Sequence, residues 1–175
     1  MVNLKRIKVI AFLGVFLAFG VVSLGAWTRL VDAGLGYPDW PGCYGFAIFP
    51  MSEAEIAQAN ELYPERKFEL EKAVPEVVHR YFAGFLGLLI IGLFGLSLYL
   101  KPFNSLVTKL TGALVLLVLA QSTFGYLTVS LKLWPQVVTM HLLGGFATTT
   151  LLFLTYMKLK DLDTGSSNSL MISKR

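Results

Sequence analysis

Residues 81–100 read YFAGFLGLLIIGLFGLSLYL, a run without one aspartate, glutamate, lysine or arginine. Crossing a bilayer takes about 20 helical residues at about 1.5 Å each, so this run alone is long enough. Three further runs share its character: Val9–Thr28, Leu110–Leu131 and Leu133–Met157. Only helices and closed barrels satisfy every backbone group in lipid, and runs this continuously apolar are helices. The expected fold is therefore all-α and integral to the membrane. It is a four-transmembrane-helix up-down bundle over residues 1–160, with one large exterior loop at 29–80 and a polar cytoplasmic tail at 161–175.

Composition points the same way. The 175 residues are 55% hydrophobic and 15% charged, against about 25% charged in soluble chains, and the mean hydropathy is +0.64. The net charge of +4 does not argue for nucleic acid. The basic residues stand at the ends of apolar runs, where membrane proteins put them. A single cysteine, Cys43, excludes an intrachain disulfide framework and any all-cysteine metal site. The first span follows Lys5, Arg6 and Lys8 as a signal peptide's core would. Its apolar run exceeds the usual 7–15 residues or so and no convincing small-x-small cleavage site precedes Trp27, so it reads as uncleaved.

Orientation follows from the bases outside the spans. The N-terminus has three (Lys5, Arg6, Lys8), the 101–109 connection two (Lys101, Lys109) and the C-terminal tail four (Lys158, Lys160, Lys174, Arg175). The segment from Arg29 to Arg80 has five bases against nine acids, and the last connection only Lys132. The positive-inside rule then puts both termini in the cytoplasm and the acidic loop outside; the expected location is the cell's inner (plasma) membrane, crossed several times. Within that loop, residues 32–50 are rich in glycine, proline and aromatics and predict a compact, turn-rich segment. Ser52 and Glu55 have capping-box spacing, which predicts a surface helix over 52–63 ending near Pro64. Thr164–Ser169 is polar enough to be disordered. No internal repeat is evident.

The two histidines, His79 and His141, both fall at the outer ends of spans. Pro75 and Pro135 suit the first turns of those two helices. His79 is four residues past its proline and His141 six past its own, a depth difference of about 3 Å. The second and fourth spans of an up-down bundle are diagonal and face each other across the core. Two imidazoles at matched depth on facing helices suit both axial positions of one haem iron. For His79 alone, an interfacial polar residue is an equally good reading. His141 lies in an apolar helix, where an ionisable residue is costly and usually marks function.

Neighbouring residues admit two readings each. Ala83, Gly84, Gly87, Gly144 and Gly145 leave room for a flat macrocycle, or simply let helices pack closely. Glu76 shares a helical face with His79 and is able to orient the imidazole, take a proton or contact substrate. It also suits the first turn of a helix, where the macrodipole favours acids. Arg29 and Arg80 at the outer interface are candidates to neutralise haem propionates, or topological anchors. Gln121 and Ser122 read as interhelical hydrogen-bonding residues, and Trp27, Tyr81, Tyr126 and Trp134 as interfacial belts.

Several strings together resemble one family. They are Thr28-Arg29-Leu30, Gly34-Leu35-Gly36-Tyr37-Pro38-Asp39-Trp40-Pro41-Gly42-Cys43, Glu76-Val77-Val78-His79-Arg80, Gln121 to Val129, and Pro135-Gln136-Val137-Val138-Thr139-Met140-His141-Leu142. In order and spacing they resemble the N-terminal half of the haem A synthases, over roughly residues 9–157. That family oxidises the C8 methyl group of haem O to the formyl group of haem A for terminal oxidases. Its usual members fuse two four-helix halves, each with a histidine pair: one for the substrate haem, one for an electron-transferring haem b.

The resemblance implies that His79 and His141 are axial haem-iron ligands and that Glu76 is the glutamate needed for oxidation. It implies haem b or haem O as the bound group, haem O as substrate, a haem O synthase as partner and a role in cytochrome oxidase biogenesis. The chain departs from the pattern in two places. It corresponds to one half, so a second copy or a second four-helix half is expected beside it. In a homodimer, Gly92 and Gly95 or Gly112 and Ala113 are candidate contacts. Tyr37 stands where many members have the first of two loop cysteines, leaving Cys43 as a free thiol or as one that pairs between copies. The alternative to an oxidoreductase is a haem b-binding module that carries electrons or haem without oxidising it; a haemless assembly subunit is a third reading.

Overall fold

The computed structural model describes residues 4–39, 42–100 and 103–172, with side chains through Gly165. Trp40, Pro41, Lys101, Lys174 and Arg175, which entered the motif and charge readings, lie outside the described residues. The described chain is helical: α1 (Leu4–Leu30), α2 (Glu53–Leu62), α3 (Leu70–Leu98), α4 (Ser105–Ser130) and α5 (Pro135–Ile172). Four of them, all but α2, are long and apolar enough to cross a membrane. Phe16, Phe19, Phe85, Leu88, Leu116 and Leu119 are each more than half exposed on these helices. An apolar exterior of this kind suits lipid as solvent. This is a multi-pass integral membrane helical protein, as the charge-free runs predict.

Two helix boundaries differ from expectation. α3 begins at Leu70, well before the apolar run, and encloses Pro75 within it rather than in its first turn. The early turns are held by packing, since Ala73 and Val77 belong to the buried cluster of the exterior loop. That burial outweighs the backbone hydrogen bond that Pro75 forgoes. The acid of the first turn is Glu71, so Glu76 has no such role. α5 starts at Pro135 as expected and continues through Thr164–Ser169, where composition suggested disorder. There the Thr164 hydroxyl donates back to the carbonyls of Lys160 (3.1 Å) and Asp161 (3.0 Å).

The chain forms two compact units. One comprises Met1–Phe19, Phe85–Ala120 and Gly144–Arg175. In it the buried hydroxyls of Ser97 and Thr111 lie 3.0 Å apart, and Lys8 pairs with Asp163. Gly112 faces the Phe94 ring, which covers it within the chain, whereas Gly92 and Gly95 have nothing against them.

The other unit, Gly20–Gly84 with Gln121–Leu143, contains the long loop between α1 and α3. The loop has its own core of Tyr37, Cys43, Tyr44, Ala59, Ala73 and Val77, edged by Phe46, Phe49, Tyr63 and Phe68. Tyr44 meets the rings of Tyr63 and Phe68 edge-on, both at 5.6 Å, a geometry the ring quadrupoles favour. A tight turn at 43–46 pairs Cys43 and Phe46 and needs positive φ at Tyr44 (56°) and Gly45 (82°). Asp39 stabilises it by accepting the N–H groups of Tyr44 (2.6 Å) and Gly45 (2.9 Å). Before α2 the Ser52–Glu55 capping box forms as the spacing predicts.

Candidate functional site

Both histidines belong to the loop-bearing unit, and each is seated on a glycine. A Cβ on Gly25 of α1 would come within 2.9 Å of His79 Cε1. A Cβ on Gly125 of α4 would meet His141 Cε1 at 3.6 Å. The missing side chain at Gly25 lets His79 reach the α1 backbone, where Nδ1 lies 3.1 Å from the Val21 carbonyl. A carbonyl only accepts, so Nδ1 carries the proton and donates, leaving Nε2 with its lone pair free for a metal. His141 lies within electrostatic reach of His79, and its Nδ1 is buried without a hydrogen-bond partner.

The two seats repeat one local design that sequence inspection missed. Thr28 donates its hydroxyl to the Gly25 carbonyl and Thr128 does the same to Gly125, both at 2.7 Å. Each helix then ends in the same turn: Ala33 N–H to Thr28 carbonyl and Leu133 N–H to Thr128 carbonyl, both 2.8 Å. Asp32 and Lys132 take the left-handed position, at φ 54° and 49°. These are Schellman ends, whose left-handed residue comes four after the threonine of a Gly-x-x-Thr that seats a histidine.

Glu76, one helical turn before His79, is 6% exposed. Its Oε1 accepts from Arg80 Nη2 at 2.5 Å. Its Oε2 is buried and completes no hydrogen bond, although the backbone N–H groups of Gly36 and Tyr37 approach the carboxylate. Gly36 is required for that approach, because a Cβ there would lie 2.6 Å from the Lys72 carbonyl and 3.1 Å from Glu76 Oε2. Arg80 is taken up by protein groups: besides Glu76 it donates to the carbonyls of Gly42 (3.0 Å) and Asp39 (3.4 Å). Its guanidinium also lies over the Tyr37 ring, 4.8 Å from the centroid.

Arg29 is different, with a side chain 60% exposed and, among the described residues, a 3.8 Å pairing to Asp32. Cys43 is a free, buried thiol beside the Tyr37 hydroxyl, which itself donates to the Ala73 carbonyl. Burial pushes the thiol up to about 12 and raises the Tyr37 phenol as well. A buried thiol is out of reach of a second copy, which favours the free-thiol reading. Trp27, Tyr81, Tyr126 and Trp134 are all exposed, as belt residues are. Val21, Gly25, Gly36, Tyr37, Asp39 and Gly125 entered the site only through the structure. The one signal that pointed to the two seats is a glycine followed three residues later by threonine near the C-terminal ends of α1 and α4.

Two imidazoles within electrostatic reach of one another, each lying against a glycine, fit a haem as donor set. The protein is thus a helical membrane protein with a histidine pair and a buried acid at the loop-bearing ends of its spans. The chain matches the model of the cytochrome oxidase assembly protein family (COX15-CtaA) over residues 8–174. It belongs to that family, the family of the haem A synthases. It is 47% identical over 138 residues to a heme A synthase of Shewanella oneidensis, an alignment covering 79% of this chain and 41% of that protein. The chain therefore spans about two fifths of that relative's length. No solved structure matches it.

Proposed function

We propose that this chain carries out a haem A synthase-like oxidation, converting the C8 methyl group of haem O to the formyl group of haem A. His79 and His141 hold the haem iron, and Glu76 is the acting carboxylate. The observation that carries the reading is the pair of glycine-seated histidines with a buried, half-bonded carboxylate one turn away. A bound haem supplies redox-active iron and, as haem O, the methyl group that is oxidised. The protein's own part is positioning and electrostatics. The Val21 carbonyl fixes the tautomer and direction of the His79 ring, as partners of metal-ligating histidines do. Glu76 keeps Oε2 available as a proton acceptor or as a negative charge beside developing positive charge. Arg29, exposed at the end of α1, is a cation available to a haem carboxylate.

The chain lies in the cell's inner (plasma) membrane with both termini in the cytoplasm, and a second copy or a second four-helix half provides the second haem site that one histidine pair lacks. Symmetric dimers are the commonest closed assembly. A haem O synthase supplies the substrate.

Pigment extraction after co-expression with a haem O source tests the reading. Haem O or haem A in the purified protein is expected, with low-spin bis-imidazole absorbance lost in His79→Ala and in His141→Ala. Haem b alone would favour an electron- or haem-carrying module. An unchanged spectrum in either variant would end the paired-ligand assignment.

A further inference from the structure

One side chain joins the exterior loop to α3. Arg80 Nη2 donates to Glu76 Oε1 at 2.5 Å, and Nη1 donates to the carbonyls of Gly42 and Asp39 at 3.0 and 3.4 Å. The same guanidinium lies over Tyr37, whose hydroxyl donates to the Ala73 carbonyl of α3. The fork of a guanidinium is what permits this, since its donors point in fixed and different directions. To meet a haem carboxylate instead, Arg80 would have to leave a buried acid unpaired and two loop carbonyls unsatisfied.

Resting on the reading of Glu76 as the acting carboxylate, we propose that Arg80 is a positioning residue: it registers the exterior loop on α3 and holds Glu76 with Oε1 tied and Oε2 open. Its role is exerted through Glu76 and the loop, not on the macrocycle. A second contact of the same assembly is independent of Arg80. Gly36 lays the loop backbone against α3 so closely that a Cβ would stand 2.6 Å from the Lys72 carbonyl. Alanine at 36 must therefore lift the loop with Arg80 intact, and its effects should copy those of losing the guanidinium.

Cys43 reports on the clasp. It is the chain's one cysteine, it follows Gly42 directly, and it is 1% exposed. Thiol alkylation needs the loop to open, so its rate follows the stability of the loop's seat. The experiment uses the full chain in detergent micelles at pH 8, alkylated with a water-soluble maleimide, in the parent, Arg80→Gln and Gly36→Ala forms. Both variants should label Cys43 about tenfold faster or more and keep the parental ratio of haem to protein. Each should lower kcat for haem O by about tenfold or more with KM within about twofold, the pattern of a group acting on the reacting step and not on binding.

Parental labelling rates in both variants would overturn the clasp. Loss of haem from Arg80→Gln with Cys43 still shielded would overturn it in favour of a direct contact with the macrocycle. If labelling rises while kcat holds, Arg80 fixes the loop without positioning Glu76, and the proposal fails. A parent chain with no oxidation activity would sink the assignment of Glu76, and the labelling arm would still decide whether Arg80 holds the loop.

Discussion

Replacing Gly25 by alanine adds one methyl carbon to α1 at the place where His79 rests. On the existing backbone that carbon stands 2.9 Å from Cε1 and 3.4 Å from each ring nitrogen. Carbon atoms pack comfortably from about 3.5 Å, so the imidazole has to retreat by roughly half an ångström or more. It is not free to do so. Nδ1 is already 3.1 Å from the Val21 carbonyl, and a retreat of that size takes the bond to the limit of about 3.5 Å where it ceases to count.

Losing a hydrogen bond of this kind costs about 0.5–1.5 kcal/mol, and losing the partner of a ligating histidine typically costs about 10–100-fold in metal affinity. Gly25→Ala should therefore weaken haem binding by about 10–100-fold, read by titrating haem into the purified chain and following the Soret band. Gly125→Ala is the control, because its Cβ meets His141 at 3.6 and 4.0 Å, ordinary contact distances. That substitution should leave affinity within about threefold and favour the helix by up to about 1 kcal/mol. Parental affinity in Gly25→Ala would refute the argument. So would equal damage from both substitutions, since that would be a general packing effect and not displacement of one ring.

Three other outcomes follow from particular contacts. Glu76→Gln keeps the side chain's shape and an acceptor for Arg80 while removing the charge, so haem should stay bound and haem A production should stop; production at the parental rate would remove Glu76 from the mechanism. Cys43, pushed up to about 12 by burial from an ordinary 9.0, should alkylate far more slowly at pH 8 than a free thiol, because the loop must open to expose it and only the thiolate reacts. Its rate should climb tenfold per pH unit up to about 12, and a plateau near pH 9 would contradict the buried seat. Reporter fusions at Ser52 and at the C-terminus should be active outside and inside respectively, and a C-terminal fusion active only outside would overturn the topology.

What could be read from the sequence was what a one-dimensional rule controls. Lipid forbids charges along about 20 residues, so the four spans show themselves as runs. A capping box is local, so α2 was legible from Ser52 and Glu55. The start of α3 was not, because Pro75 gave a local start signal that the packing of Ala73 and Val77 against the loop overrides. His141 stood out because an ionisable group among apolar residues is costly, His79 because it matches His141 in depth, and Glu76 because it shares a helical face with His79. Their seats did not, since a glycine announces nothing about what lies against it.

The hidden repeat explains where the chemistry collects. Gly25 and Gly125 occupy the same local frame, yet His79 follows its glycine by 54 residues and His141 by 16. The difference is the exterior loop, inserted into one hairpin and absent from the other, which is why no self-similarity appears along the chain. The two histidines consequently have unlike neighbours. The residues three before and one after are Glu76 and Arg80 for His79, but Val138 and Leu142 for His141. Only the hairpin with the loop has backbone to bury a carboxylate against and carbonyls to hold a guanidinium. The short hairpin can offer its imidazole and little else, so an acid introduced at Val138 would enter the span without the N–H groups and the arginine that make Glu76 tolerable.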